Sequence, residues 1–333
     1  MKHVLQRIVW LPLVLWAVVT LTFLVLRLAP GNPLDVIAAR AIETDQIERV
    51  RAEWGLDQPL WRQYLTFLGG LVQGDLGIAL SSGVPVSRLL GERIAPTIEL
   101  AVSALIISTV VGVGAGVISS ITRQRWVDYG VRAFAVVGMS VPWFWVAILL
   151  IIVFSVRLGW TPVGGRITAG MPYTTLTNFM LIDTVLTGNW PAFWSFLHHL
   201  ALPALAIGLT SAGFVARMTR AAMLEIMRAD YVRAARARGL YERRIVIGHA
   251  LRNALLPVLT LQGLQFGALL GGAVITEIVF AWPGVGRMLL DGILRRDYPI
   301  VQGTVIFVAF CYVLVNLAVD LLYHVVDPRL RRA

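Results

Sequence analysis

The chain has 333 residues, of which 57% are hydrophobic and only 14% charged, at a mean hydropathy of +0.75. So little polar surface cannot clothe a soluble globule of this size, and the composition is that of an integral membrane protein. The formal net charge of +10 is spread over short stretches without interleaved aromatic residues and so marks no nucleic-acid surface, and a lone Cys311 inside an apolar run excludes an intrachain disulfide.

Apolar runs able to cross a hydrocarbon core of ~30 Å, which takes ~20 residues as helix, fall at 8–28, 97–120, 131–156, 200–216, 254–279 and 301–323. The expected fold class is therefore an all-α polytopic membrane protein with six transmembrane helices. Lys2 and Arg7 precede the first run, which is longer than a signal-peptide core and lacks a small-residue cleavage site, so 1–28 reads as an uncleaved anchor helix. Arg27 sits where it can snorkel to the interface, and Pro30 to Pro33 ends the helix.

Residues 29–96 read as an extracytoplasmic helical segment. Thr44 to Trp54 forms a polar helix stopped by Gly55. A second helix starts near Pro59 and carries Leu60, Tyr64, Phe67, Leu68 and Leu71 on one face until Gly74 to Gly77 breaks it. That face either lies on the membrane or packs over a channel mouth, as a surface linker or as a lid facing an external donor protein. Residues 97–323 form a core of five transmembrane helices, and 324–333 a cytoplasmic tail. The fourth span is the shortest and is interrupted by Pro203, so its limits depend on a start near His198 or a continuation past Arg217. His198 and His199 are adjacent on a helix and point about 100° apart, which suits an interfacial polar cap better than a metal site.

Between the fourth and fifth spans lies a basic, Ala-rich helix-turn-helix insert within 217–252. Met223, Met227, Tyr231 and Ala234 stand at i, i+4, i+8 and i+11, with Glu225, Arg228 and Arg236 opposite, which predicts one amphipathic helix across the bundle's inner mouth. Gly239 permits a tight turn, and the small Ala234 and Ala235 permit close docking. The plainer alternative is a solvated basic loop. In the fifth span Gly263, Gly267 and Gly271 recur every four residues and predict close packing against another helix. Gln262, Gln265, Asn316 and Asp320 need protein partners or a water-filled path in hydrocarbon, and Glu277 either caps the turn that follows it or faces a cavity.

With six crossings, the side holding the N-terminus, 121–132, 217–252 and the tail carries 17 basic and 6 acidic residues, against 12 and 13 on the other. The positive side is the cytoplasm, which places both termini inside. Among catalytic patterns, the sequence contains no H-E-x-x-H, G-x-S-x-G or Walker A loop and no Cys/His cluster. A secondary transporter working alone would show an inverted repeat and intramembrane ionisable relays, and neither stands out.

Several short motifs occur in a fixed order: Leu28 to Pro33 (LAPGNP), Trp54 to Pro59 (WGLDQP), Gly74 to Gly77 (GDLG), Ser140 to Phe144 (SVPWF), Gly271 to Gly286 (GGAVITEIVFAWPGVG), Arg296 to Pro299 (RDYP), Asn316 to Asp320 (NLAVD) and Asp327 to Arg329 (DPR). In the insert, Ala234 and Ala235 are followed by three residues and Gly239, and Leu256-Pro257 opens the next span. Together these resemble, over essentially the full length, the inner-membrane permease subunits of ATP-binding-cassette importers, in the dipeptide, oligopeptide and nickel branch and of its first-permease type. Arg233 stands where the family's general EAA loop has Glu, and Gly239 lies further from Pro257 than the general spacing; both departures are typical of the peptide branch.

The resemblance implies the type I ABC importer permease fold in the bacterial inner membrane. It implies a heterodimer with a second, homologous permease, two cytoplasmic ATPases docked on the inserts, and an external solute-binding protein. ATP and Mg would be bound by the ATPases and no cofactor by this chain. Residues Met223 to Gly239 would carry the coupling, with Arg233, Arg236 and Arg238 available to acidic groups of the ATPase. The expected cargo is di- or oligopeptides, with nickel chelates, glutathione-like thiols and oligosaccharides as alternatives.

Overall fold

A computed structural model describes residues 2–28, 57–122, 124–271 and 273–326, with side chains from Trp10 to Val319. The expected helix at 44–54, the Pro30 to Pro33 stop, the tail from Asp327 and the Asp320 side chain lie outside the described residues. Those described are mainly helical, with no strand among them and a long non-helical stretch over 158–179. The helices are α1 (Lys2–Leu28), α2 (Leu60–Val72), α3 (Val86–Ile121), α4 (Arg125–Ser140), α5 (Trp143–Leu150, continued as a π-helix over Ile151–Arg157) and α6 (Met180–Leu186). There follow α7 (Trp190–Ile226), α8 (Asp230–Ala237), a helical turn at Glu242–Arg244 with a π-helical stretch at Ile245–Leu251, and α9 (Arg252–Leu270). The chain ends with α10 (Val274–Val279), α11 (Val285–Leu294) and α12 (Tyr298–Val326).

Five helical stretches are long and apolar enough to cross a membrane: Trp10–Leu28, Val86–Ile121, Trp190–Ile226, Glu242–Leu270 and Tyr298–Val319. The crossing expected over 131–156 is instead a pair, Arg125–Ser140 and Trp143–Arg157, bent by 104°, and it makes the count six if the pair is one span. The break has a local cause. Pro142 lacks an N–H and disfavours helical geometry at the β-branched Val141 before it, so α4 stops and Pro142 opens α5.

The fourth span, the shortest by hydropathy, is part of the longest helix. Asn189 caps α7, its Oδ1 accepting the Ala192 N–H at 3.2 Å, with Pro191 in the first turn where no N–H is missed. Pro203 is carried inside the helix, which runs on past Arg217 to Ile226. It is the hub of the bundle, packing on α3, α4, α5 and α9. Glycines let α3 and α7 touch backbone to backbone: a Cβ at Gly112 would lie 2.5 Å from Val215 Cβ, and one at Gly208 2.7 Å from Ile107 Cβ. Gly263 and Gly267 of α9 and Gly271 just past its end face α12, where a Cβ at Gly263 would lie 2.2 Å from Val319 Cγ2 and one at Gly267 2.9 Å from Tyr312 Cδ2.

Two further expectations shift. Helix α3 begins at Val86, within the segment expected to be extramembranous, and the fifth crossing begins at Glu242 and ends at Leu270 rather than spanning 254–279. Part of the apolar face of α2 meets α1. Phe23 meets the Tyr64 ring edge-on at 5.2 Å and stacks on Phe67 at 5.9 Å, and Arg27 Nε donates to Gln63 Oε1 at 2.9 Å. The Arg27 guanidinium lies over the rings of Phe23 and Tyr298.

Candidate functional site

The insert is compact and jointed. The single amphipathic helix expected from Met223 to Ala234 is divided by a turn over 227–229: after the last regular bond, Met227 N–H to Met223 O at 2.9 Å, the bonding tightens to three-residue steps, Arg228 N–H to Glu225 O at 3.1 Å and Ala229 N–H to Ile226 O at 3.0 Å. Met223 is fully buried at the end of α7 against Val246, Ala250 and Ala254, with the half-buried Met227 packed on the same cluster. On α8 the inward face is Val232 and Ala235, which pack on Ile245, while Tyr231 and Ala234 are exposed. The period is helical, but the helix restarts at Asp230, so the face that buries is rotated from the one that includes Ala234.

Gly239 ends α8 at φ +74°, a left-handed conformation that leaves Cβ-bearing residues strained. The Gly239 N–H donates to Arg236 O at 2.9 Å and the Leu240 N–H to Ala235 O at 3.3 Å, while Leu240 packs on the Ala235 cluster. This is the paired closure that ends a helix with glycine just past its last turn. The second arm then runs without a stop into the fifth crossing, so the insert is a short protrusion on two long helices rather than a loop of 36 residues.

The arginines expected to reach a partner are unequal. Arg233 pairs with Asp230, and Arg236 pairs with Glu242 at 2.6 Å, a contact that holds its guanidinium above its ordinary pKa. Arg238 is exposed with no ion pair among the described residues. Tyr231 OH accepts from Asn253 Nδ2 at 2.9 Å and fastens α8 to α9.

The polar intramembrane residues separate into distinct roles. Gln262 is a cross-helix strut, its Nε2 donating to Ser108 Oγ and Thr109 Oγ1, each at 3.0 Å. Asn316 is half-buried on α12 with no side-chain hydrogen bond among the described residues. Gln265 lines a cavity of about 560 Å³ beside the α4–α5 break, shared with Ser140, Trp143, Ser211 and Phe214. A second hollow of about 550 Å³ continues from Met139 and Ser140 toward the insert, between α4 and α7, and ends at Arg132, Arg217 and Arg220.

Glu277 is fully buried and caps; it does not face the cavity. Its Oε1 accepts the Thr97 hydroxyl at 2.8 Å and its Oε2 the Arg287 N–H at 2.9 Å, with the Gly286 N–H also donating, so the carboxylate closes the first turn of α11. Gly284 makes room for it, since a Cβ there would lie 2.1 Å from Glu277 Oε1. Trp282 completes the plug, its Nε1 donating to Pro96 O at 2.9 Å.

Two ion clusters escaped the sequence reading. At the end of the bundle away from the insert, Arg166 bonds Glu99 Oε2 at 2.5 Å and Asn178 O at 2.8 Å, and Glu99 Oε1 accepts the Leu181 N–H at 2.8 Å, which ties the 158–189 segment to α3. At the insert end, Asp128 takes Arg220 Nε at 2.9 Å and is also bonded by Arg132 and Ser119, joining α3, α4 and α7. Asp128 is the only acidic residue between 121 and 132, which was the available signal; Glu99 and Arg166 are 67 positions apart and had none.

A long central helix, glycine-packed neighbours and a jointed basic insert between two crossing helices define a multi-span membrane protein. The model of the binding-protein-dependent transport system inner membrane component matches residues 112–332, and that of the N-terminal part of such components matches 1–88; the chain belongs to this family. It is 45% identical over 317 residues to the di/tripeptide transport system permease DppB of Pseudomonas aeruginosa, covering 95% of this chain and 94% of that one. To the dipeptide permease DppB of Escherichia coli K12 it is 45% identical over 315 residues, covering 93% of each, and to that of Alkalihalophilus pseudofirmus 39% over 331 residues, covering 99% of each. Its fold is also like that of a chain in an inward-facing crystal structure of the MetNI methionine ABC transporter, at a TM-score of 0.54 and 21% identity, covering 72% of this chain and 97% of that one. The chain is thus a multi-pass inner-membrane permease component and not an enzyme; ATP hydrolysis belongs to separate ATPase subunits, and the system works with a substrate-binding protein.

Proposed function

We propose that this chain is one half of the translocation path of an ATP-driven importer of di- or oligopeptides, paired with a second, homologous permease. The full-length likeness to dipeptide permeases carries this reading. In it the insert end faces the cytoplasm, a reading that the arginine distribution supports. Two ATPases, which bind ATP and Mg, dock one on each permease's insert, and this chain binds no cofactor. An external solute-binding protein delivers the peptide. Closure of the ATPases pushes on Met223 to Gly239, and because both arms of the insert continue into crossing helices, the push tilts the bundle between outward-open and inward-open states. Of Arg233, Arg236 and Arg238, the exposed Arg238 has no ion pair among the described residues and is open to an acidic group of the ATPase; Arg233 and Arg236 shape the insert itself.

The test is reconstitution of the complete complex in liposomes with its binding protein. ATP-dependent dipeptide uptake is expected, with ATPase activity stimulated by peptide-loaded binding protein. Gly239→Val, which forces a β-branched residue into left-handed geometry, and Ala235→Trp, which overfills the contact with Val232 and Ile245, should each abolish that stimulation while the chain remains inserted. Unchanged stimulation would refute the coupling assignment. Uptake that survives removal of ATP would instead indicate a secondary transporter, and uptake of nickel chelates or glutathione in place of dipeptides would move the cargo within the branch.

A further inference from the structure

The α4–α5 break does more than bend a helix. In an uninterrupted helix the carbonyls of Gly138, Met139 and Ser140 would accept from residues four positions on, but position 142 is a proline and the N–H groups of Trp143 and Phe144 open a new helix. Val141 N–H still reaches Val137 O at 2.9 Å, and the next bond, from Trp145, goes to Pro142 O at 3.0 Å. Trp145 thereby leaves the Val141 carbonyl as well, so four acceptors, at 138–141, and two donors are without backbone partners among the described residues. All of them except Phe144 belong to residues lining the 560 Å³ cavity, as does Gln265, whose Oε1 is buried and unpaired. Ser140 and Ser211 add hydroxyls, whereas Thr210, also on the wall, spends its own on Ala206 O and Ile207 O.

Unpaired backbone at membrane depth persists only where it is buried in protein or lines a water-filled cavity, and an orphaned buried amide calls for a partner. The lining contains no Asp, Glu, Lys or Arg. A cavity within the size range of small-ligand sites, supplied with neutral acceptors and donors and no fixed charge, matches a short extended backbone and is indifferent to the side chains along it. We infer that this cavity is where the chain contacts its cargo in transit, with the carbonyls of 138–141 and Gln265 Oε1 accepting peptide N–H groups and the Trp143 N–H and serine hydroxyls donating to peptide carbonyls. The inference rests on the reading of the chain as a peptide permease and deepens it by naming the contact residues and their neutral, backbone-directed selectivity.

The test uses the complete complex in liposomes with its binding protein, and measures uptake of a lysine-containing against an aspartate-containing dipeptide. The ratio of the two cancels the amount of correctly assembled complex. Replacing Gln265→Glu puts a carboxylate on the cavity wall and should raise the cationic-to-anionic uptake ratio by about tenfold or more, the scale of one unscreened charge contact. Gln265→Leu should lower uptake of both peptides and leave the ratio near one relative to the unaltered complex. A Gln265→Glu ratio within twofold of the unaltered complex would overturn the inference while peptide transport itself stands. Absence of dipeptide uptake by the unaltered complex would overturn both the inference and the reading beneath it.

Discussion

Truncating Glu277 should unfasten α11 and the plug around Trp282. The carboxylate is the acceptor for two buried backbone amides, Gly286 and Arg287, and for the Thr97 hydroxyl, which itself accepts from the Val285 N–H at 2.9 Å. In Glu277→Ala the Thr97 hydroxyl can fall back on Arg93 O, 3.4 Å away, but the two amides have no such substitute. Each buried donor left unpaired costs about 1–3 kcal/mol, so the loss should be about 2–6 kcal/mol. In Glu277→Gln the amide oxygen can serve the backbone N–H groups while its NH2 points at Thr97 Oγ1, so less than half of that loss is expected. Unfolding in mixed micelles with increasing SDS, followed by tryptophan fluorescence, measures both variants against the parent. A Glu277→Ala change under about 1 kcal/mol, or a Glu277→Gln variant as damaged as Glu277→Ala, would refute the capping role.

Gly263→Leu should disrupt the α9–α12 seam, because its first side-chain atom already falls 2.2 Å from Val319; overpacking costs of about 1–3 kcal/mol are expected, read in the same titration and relieved by adding Val319→Ala. Arg166→Leu strands Glu99 against hydrophobic neighbours and should destabilise by about 3–5 kcal/mol, whereas the double change with Glu99→Leu should recover part of the loss; no recovery would argue against the pair. Asp183 gives a pH signature. Burial pushes its carboxyl up, but the Thr177 hydroxyl and the N–H groups of Thr177, Leu176 and Asn178 outweigh this and hold it below the ordinary carboxylate range. With the folded value depressed, its stabilisation is fully present above the unfolded value of about 4 and drains away as pH falls through the folded one. Stability measured from pH 6 down to pH 3 should therefore decline less in Asp183→Asn than in the parent.

How much could be read from the sequence depended on whether a signal was local. The glycine stripe of α9 was legible because spacing by four fixes a helix face whatever lies opposite, and Gly112 with Gly116 on α3 carried the same signal unnoticed. Hydropathy undervalued α7, since its small residues, alanine above all, make it a buried hub rather than a lipid-facing span. The break at Val141–Pro142 was written in the residue pair, but a continuous apolar run masked it. In the insert, helical periodicity was read correctly across a joint that resets its phase, so Val232 was missed and Ala234 placed inside. The cap by Glu277 was one of two local readings, its amides lying nine and ten positions on, whereas the roles of Gln262 and Gln265 depended on neighbours more than a hundred positions away or on the shape of a bend, which no local pattern reports.

Helix α7 has mechanical consequences through its length alone. Thirty-seven residues at 1.5 Å each make a rod of about 55 Å, unbroken from the Asn189 cap to the Met227 turn. Pivoted near its middle, where α3 grips it at Gly112 and Gly208, a tilt of about 10° swings each tip by about 5 Å in opposite directions. Were the helix to tilt as the proposed function has it, movements at the two surfaces of the membrane would be antiphase by construction, an opening on one face being a closing on the other without any signal passing between them.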